Sequence, residues 1–157
     1  IVTEMNNSIS DNNESNMFVT LIVGILDLET GILKLCNAGH NPPILIYPDG
    51  QVSYLEFKTQ IFVGVVEDFK YSDEEVVLEK ESKLFLYTDG VTEAENINKE
   101  LYGEEKLLEM LSDNASSDVR TTVNVVVDSI ASHVKEAEAS DDLTILLIQY
   151  EPGTANS

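Results

Sequence analysis

The sequence has few of the residues that many nucleophilic or zinc-dependent sites use. Its 157 residues include one cysteine and two histidines. A lone cysteine excludes an internal disulfide and favours an intracellular, cytoplasmic setting. Zinc, cysteine-protease and serine-triad sites are disfavoured, because thiols and imidazoles are scarce and no G-x-S-x-G or G-x-x-x-x-G-K segment occurs. Cys36, within LKLCNAG, is interpreted as a small buried apolar residue.

Positive charge is also scarce. The chain has nine lysines and arginines and 29 acidic residues, which gives a formal net charge of −20. Such a surface repels nucleic acid and anionic lipid, so neither is expected as a direct partner. No apolar run approaches the roughly 18–20 residues of a membrane helix, and no signal peptide opens the chain. Most of the acids are interpreted as a solvated surface, while some could be gathered to hold cations.

What is present is a series of strand-like segments. IVTEMNNSIS is typical of a helix end, and the apolar run FVTLIVGIL predicts a strand covered on both faces. Residues 17–36 predict a hairpin, and PPILIY-PDG-QVSYLEF predicts a second. EEVVLEKESKLFLYT predicts a third strand pair with LEKESKL as its turn.

Two helices and a last strand complete the pattern. GEEKLLEMLSD has helical leucine spacing, and a valine stripe over residues 119–134 predicts a second helix that Asp118 caps. SDDLTILLIQY predicts a returning strand, and residues 151–157 are expected to be disordered. Hairpins followed by helices predict an α+β fold with a largely antiparallel sheet.

Acidic residues lie at the ends of two predicted strands. LFLYTDG ends on Asp89, and SDDLTILLI begins with Asp141 and Asp142. If these strands are antiparallel neighbours, the acids meet at one sheet edge. Clustered carboxylates repel one another unless a cation neutralises them, and Mg²⁺ and Mn²⁺ prefer oxygen ligands. The spacing is compatible with metal-assisted hydrolysis of a phosphate ester, although a turn and a solvated cap explain the same residues.

Five ordered blocks carry a resemblance to a known family. MFVTLIVGILDLETG, LCNAGHNPPILI, LYTDGVTEAEN, LYGEEKLLEML and SDDLTILLI resemble bacterial metal-dependent serine/threonine phosphatases related to protein phosphatase 2C, from about Met5 to Tyr150. The similar branch includes sporulation stage II protein E and stress-response sigma regulators. The resemblance implies an α-β-β-α sandwich of two largely antiparallel sheets flanked by helices. It also implies a centre of two Mn²⁺ or Mg²⁺ ions that activates a water to attack phosphorus directly.

The resemblance assigns roles to individual residues. Asp89 and Asp141 match the family's metal ligands, and Asp142 matches the position beside a ligand. Gly90 is expected to keep the backbone compact where the ligand strand turns. No residue of this chain is assigned as directly catalytic.

Four further polar residues have weaker assignments. Glu93 and Asn96 are expected at the rim of the site, with polar residues opening a short helix as the alternative. His40, in NAGHNPP, is interpreted as part of a structural turn, and His133 as a surface or capping residue.

The sequence departs from the family at its start. Members carry an upstream Gly-Asp-x-Ser-Gly block whose aspartate bridges both metals, and nothing here matches it. Residues 1–150 are therefore expected to form the C-terminal three-quarters of a single phosphatase domain, N-terminally truncated. Two carboxylates alone should bind a divalent ion weakly, so this fragment alone is expected to be inactive while its parent protein is a phosphatase.

The expected substrate is a phosphorylated signalling protein, by family analogy a small regulator of the anti-anti-sigma type. The alternative is a non-catalytic signalling scaffold or interaction domain that keeps the fold. Truncation would expose an apolar sheet edge, so a homodimer through that edge is a further expectation.

Overall fold

The computed structural model describes residues 1–11, 13–14, 16–137 and 141–152. Three helices and eight strands lie in this part of the chain. Their bounds are α1 Val2–Ser10, β1 Leu21–Leu26, β2 Ile32–Ala38, β3 Ile44–Ile46, β4 Val52–Tyr54, β5 Thr59–Gln60, β6 Glu74–Val77, β7 Lys83–Tyr87, α2 Glu104–Asp113, α3 Val119–Val134 and β8 Ile145–Gln149. They divide into two compact units.

The first unit comprises the described residues of Ile1–Pro42 and Glu56–Leu78, together with Pro152. Its sheet is built on β2, which pairs antiparallel with β1 and β6 and parallel with β5. The core of this unit includes a small buried cluster, which is formed by Val2, Cys36, Ala38 and Val63. Cys36 is buried as expected, and burial raises the pKa of its thiol.

Strand β1 differs from the expectation of a strand covered on both faces. Gly24 and Ile25 are exposed, and Ile25 has 61% of its surface accessible. The reason is that β1 pairs only with β2 among the described strands and lies at the end of the sheet order. An apolar β-branched run therefore forms an edge strand here.

The second unit comprises Pro43–Leu55 and Glu79–Glu151, as far as these residues are described. Its sheet has the order β4-β3-β7-β8, and every pair is antiparallel. Helix α2 packs on β4 and α3 packs on β8. One core joins the sheet and helices, and its fully buried members include Ile44, Phe85, Leu107, Leu111 and Val126. Apolar residues at helical spacing thus face the sheet, as the sequence predicts.

The third predicted hairpin is wrong. Strand β6 pairs with β2 of the first unit, whereas β7 pairs with β3 and β8 of the second. The polar LEKESKL segment does turn, because Ser82 donates through its N–H and hydroxyl to the carbonyl of Glu79. The turn leads into another sheet, where the N–H of Glu81 donates to the carbonyl of Tyr150.

The other predicted elements are present. The predicted hairpins at residues 17–36 and around PDG are the pairs β1–β2 and β3–β4. Asp118 caps α3 by accepting from the N–H of Thr121 at 3.0 Å. The α+β class is confirmed, with two largely antiparallel sheets and three helices among the described residues. Residues 153–157 of the predicted tail lie outside the described part, whose helices are all too short or too polar to cross a membrane.

Candidate functional site

The candidate site lies where β7 ends and β8 begins, within the second unit. Tyr87, the last residue of β7, is opposite Ile145, the first of β8. Thr88 continues the pairing: its N–H donates to the carbonyl of Thr144, whose N–H donates back to the Thr88 hydroxyl, both at 3.1 Å. That hydroxyl also donates to the carbonyl of Asp142 at 3.2 Å. The two acidic segments therefore run side by side at one sheet edge.

Gly90 lets the two segments approach this closely. A Cβ atom at Gly90 would lie 2.5 Å from the carbonyl oxygen of Asp142 and 3.1 Å from its carbonyl carbon. These distances are shorter than van der Waals contact, so any side chain here would push the backbones apart. Gly90 is buried. Its role is set by this close approach, in line with the expected compact backbone.

The two expected ligands are exposed and locally hydrogen-bonded. One carboxylate oxygen of Asp89 accepts from the N–H of Gly90 at 3.0 Å, and one of Asp141 accepts from the N–H of Asp142 at 2.7 Å. Each side chain therefore binds the backbone that immediately follows it. These hydrogen bonds hold each carboxylate close to its own backbone, next to the ends of two hydrogen-bonded strands.

The donor chemistry suits a hard divalent cation, but the number of donors does not make a complete site. Mg²⁺ requires about six oxygen ligands and usually takes one or two from protein carboxylates with others from water or substrate. Among the described residues, no three Asp, Glu, His or Cys side chains gather where they could hold a metal ion. The residues described thus fit a metal centre only in part.

The segment after Asp89 is a series of turns. The N–H of Val91 donates to the carbonyl of Thr88, and that of Glu93 to the carbonyl of Asp89 at 2.8 Å. The short helix considered as an alternative for Glu93 and Asn96 is absent from this fully described segment. Glu93 thus follows the expected ligand by one turn of backbone.

Asn96 closes a loop beyond the site. Its side-chain oxygen accepts from the N–H of Glu100 at 3.1 Å, and its amide donates to the Glu100 carboxylate at 2.7 Å. A ring nitrogen of His133 lies 2.9 Å from the Glu100 carbonyl. These contacts account for Asn96 and His133 as loop-closing residues, and a role at the rim of the site stays a prediction for Asn96.

His40 lies in a turn of the first unit. The Asn37 side chain accepts from the His40 N–H at 2.8 Å and donates to its carbonyl at 2.9 Å. Gly39, between them, has φ of 75°, which is unfavourable for residues with a side chain. The NAGH segment therefore forms a hydrogen-bonded turn, as the sequence analysis predicts.

Thr88 is the residue that the sequence reasoning missed. Its hydroxyl bridges the two acidic segments through Asp142 and Thr144. The only signal was a hydroxyl residue directly before the expected ligand, and such a residue commonly ends a strand for local reasons.

Comparison with known proteins defines the class and then the family. The fold is that of phosphatase domains of the PP2C class. The SiaA PP2C domain of Pseudomonas aeruginosa matches with a TM-score of 0.81 at 20% identity, over 96% of this chain and 59% of that one. RsbX in complex with magnesium matches with a TM-score of 0.63 at 19% identity, over 94% of this chain and 62% of that one.

The chain belongs to the Stage II sporulation protein E (SpoIIE) family, whose sequence model matches residues 1–151. Phosphoserine phosphatase RsbU of Bacillus subtilis is 23% identical over 150 residues, which cover 95% of this chain and 44% of RsbU. The chain spans between 22% and 44% of the length of three curated relatives that it matches. The family resemblance drawn from the five sequence blocks is confirmed.

Proposed function

We propose that the protein to which these residues belong is a metal-dependent phosphatase that hydrolyses phosphoserine or phosphothreonine in a signalling protein. The observation that carries the proposal is the hydrogen-bonded meeting of the Asp89 and Asp141–Asp142 segments at one sheet edge. Membership of the SpoIIE family supports the same activity. We assign Asp89 and Asp141 as metal ligands, and Gly90, Glu93, Asn96 and Asp142 as their surroundings.

The proposed substrate is a phosphorylated regulator of the anti-anti-sigma type. RsbU and RsbP of Bacillus subtilis are both named phosphoserine phosphatases, which supports phosphoserine as the group that is hydrolysed. We place the reaction in the cytoplasm, in agreement with a single, buried cysteine.

The proposed cofactor is Mn²⁺ or Mg²⁺, with two ions in the complete domain. Oxygen donors from Asp89 and Asp141 suit either ion, and the structurally similar RsbX is known in complex with magnesium. A bound ion of this kind lowers the pKa of a coordinated water and so supplies a nucleophile at neutral pH. Because two carboxylates are too few, we propose that the 157 residues alone bind the metal weakly and are inactive.

The direct test is Mn²⁺-dependent release of phosphate from p-nitrophenyl phosphate and from a phosphoserine peptide, measured with the intact protein. Asp89→Asn and Asp141→Asn should each lower kcat by at least about 100-fold, since each removes a charged ligand. Asp128→Asn, at an exposed position of α3, is the matched control and should keep full activity. Full activity in either ligand variant would remove the assignment.

Calorimetric titration with Mn²⁺ provides a readout that does not depend on turnover. The 157-residue chain should bind Mn²⁺ much more weakly than the intact protein, and Asp89→Asn should weaken it further. Tight binding or turnover by the 157 residues alone would show that they contain a complete centre.

A non-catalytic signalling scaffold is the second candidate. It is favoured because, within the described ranges, no three Asp, Glu, His or Cys side chains gather where they could hold a metal ion. An intact protein that is folded, binds no Mn²⁺ and releases no phosphate from either substrate would support the scaffold and reject the phosphatase.

We also propose that the chain forms a homodimer through the free edge of β1. The edge is apolar, and Ile25 is 61% exposed on it. Light scattering should detect a concentration-dependent dimer that Ile25→Lys dissociates. A monomer throughout the micromolar range would reject this proposal.

A further inference from the structure

A patch of large apolar side chains is exposed on the first unit. It consists of two short segments, and we call it the Phe18/Phe62 patch. Its members are Met17, Phe18, Val19, Phe62, Val65 and Val66, whose exposure runs from 40% for Phe62 to 67% for Met17. Single exposed apolar residues are common on protein surfaces, whereas contiguous groups mark interaction sites.

The patch is contiguous because its two segments are joined. The N–H of Val19 donates to the carbonyl of Val63 at 3.0 Å, and the N–H of Val63 donates back at 2.9 Å. The rings of Phe18 and Phe62 stack with their centroids 5.0 Å apart. A backbone bridge and a ring stack therefore hold the two segments in register.

The backbone beneath the patch is tightly packed. A Cβ atom at Gly39 would lie 1.9 Å from a carbon of the Phe62 ring, so the ring rests directly on that glycine. Asn13 accepts from the N–H of Met17 at 2.7 Å and donates to the carbonyl of Gly64 at 3.0 Å. The exposed side chains thus stand on a fixed base, which reduces the ordering cost of binding.

The charges in the segments that contain the patch are mostly negative. Residues 11–20 and 60–70, which contain the patch, carry the acids Asp11, Glu14, Glu67 and Asp68, and Lys70 is their only basic residue. The loop with Asp68 is held to α1, because the Asn7 amide donates to the Asp68 carboxylate at 3.1 Å. An apolar surface with an acidic border is complementary to an apolar segment bordered by cations.

We propose that the Phe18/Phe62 patch docks a segment of a partner protein that has an aromatic or long aliphatic side chain flanked by lysine or arginine. Phenylalanine and methionine are enriched at the centres of protein interfaces. A second copy of the chain would bring one acidic border against another, which opposes self-association here. The inference concerns binding alone and holds whether or not the protein is a phosphatase.

The test uses a short fluorescein-labelled peptide with a central Leu-Phe pair flanked by lysines, titrated with the 157-residue chain in an anisotropy assay. We expect a Kd on the order of 10–100 µM, weakened about tenfold or more by Phe18→Ser and by Phe62→Ser. Met17→Ser, at the most exposed position, keeps the test valid if a phenylalanine variant fails to fold. Val77→Ser is the control, because Val77 is 64% exposed on β6 outside the patch.

Two peptide controls separate docking from general attraction to an acidic protein. A peptide with glutamates in place of the lysines, and one with serines in place of Leu-Phe, should each bind at least about tenfold more weakly. Equal binding of either control peptide, or equal loss of binding in Val77→Ser, would overturn the proposal.

Two other occupants of the patch have distinct signatures. A second copy would give a dimer in sedimentation equilibrium that Phe18→Ser converts to a monomer. Another part of the intact protein would protect Phe18→Cys from maleimide, although the same variant of the 157-residue chain is labelled. Cys36 does not interfere, because burial raises the pKa of its thiol. Either signature would overturn the proposal.

Discussion

The two units use similar strand sequences in different ways. In the second unit, the apolar residues of β7 are nearly all buried, and helices α2 and α3 add Leu107, Leu111 and Val126 to the same core. In the first unit, β1 is at least as apolar, yet Ile25 is mostly exposed and the buried cluster is small. Burial therefore follows from which elements cover a strand and cannot be taken from its apolar content.

This difference separates two kinds of site. The candidate metal-binding edge lies at the ends of β7, a central strand that is mostly buried, and of β8, on which α3 packs. The Phe18/Phe62 patch lies in the unit with fewer buried side chains, where apolar groups remain available to a partner. Precise positioning of charged groups benefits from a rigid scaffold, while binding requires exposed apolar area.

The largest expected effect contrasts one strand residue from each unit. Phe85→Ala should reduce the free energy of unfolding by about 3–5 kcal/mol, because Phe85 is fully buried and its removal leaves a cavity. Ile25→Ala, measured at a protein concentration at which the chain is monomeric, should change it by no more than about 0.5 kcal/mol, because the side chain is exposed in the single chain. Urea denaturation measures both. A cost at Ile25 close to that at Phe85 would show that β1 is covered in solution.

A smaller effect is expected at the close approach of the two acidic segments. Gly90→Ala should cost about 1–3 kcal/mol, because its Cβ would overlap the carbonyl of Asp142. It should also weaken Mn²⁺ binding by the intact protein in calorimetry, since the ligand segments would be forced apart. Gly24→Ala on β1 is the control: its Cβ would find its nearest neighbour, a Leu33 methyl carbon, at 3.4 Å. Similar behaviour of the two variants would remove the steric role of Gly90.

The sequence predicted the elements of this fold better than their partners. The helices followed from apolar spacing, and the two short hairpins followed from their turns, because both signals are local. Strands β6 and β7 are joined by a polar turn that is typical of a hairpin, yet they pair with β2 and with β3 and β8. Pairing between distant segments depends on register across the whole sheet, which no local pattern contains.

The candidate site was predictable in the same partial way. Asp89 and Asp141 drew attention because both lie at ends of predicted strands, and their role as metal ligands is what the family resemblance implies. The bridging hydroxyl of Thr88 and the fit of Gly90 against Asp142 depend on the distance between two backbones, which became known only from the structure. The number of metal ligands depends on side chains that other segments must supply.

A modest effect is expected from the buried lysine of β7. Lys83 is 6% exposed, and its ammonium donates to the carbonyls of Ala115 and Ser117 at 2.7 and 2.5 Å. Lys83→Met should cost about 1–2 kcal/mol in urea denaturation, because two carbonyls lose their donor. The expected loss of stability is no larger than this because burial disfavours the charged form of Lys83, as its lowered pKa indicates.

Lys34 in the first unit provides the matched comparison for this variant. Its ammonium lies 2.7 Å from the Glu75 carboxylate in an exposed ion pair. Lys34→Met should therefore change the free energy of unfolding by less than about 0.5 kcal/mol. If Lys34→Met were the more costly of the two, the surface of the first unit would contribute more to stability than its burial indicates.

The smallest effect concerns the cap of α3 and depends on pH. The Thr121 hydroxyl, followed by the Thr121 N–H, lowers the pKa of Asp118 in the folded protein. A carboxylate with a lowered pKa stabilises the fold above its unfolded pKa of about 3.9, and this contribution is lost as the pH falls through the folded value. Asp118→Ala should therefore lower the urea midpoint at pH 7, and the difference from wild type should shrink as the pH is taken below about 4.

Asp128→Ala separates the cap from the general effect of removing an acid from α3. Asp128 lies in the interior of the helix and is exposed, so alanine there should leave the midpoint unchanged or slightly higher, because alanine favours helix. The midpoint difference for Asp118→Ala, in contrast, should follow the ionisation of the cap. If that difference were equal at pH 7 and well below pH 4, the cap would act through hydrogen bonds that the uncharged side chain also makes. Its charge would then contribute nothing to the stability of α3, the helix that packs on β8.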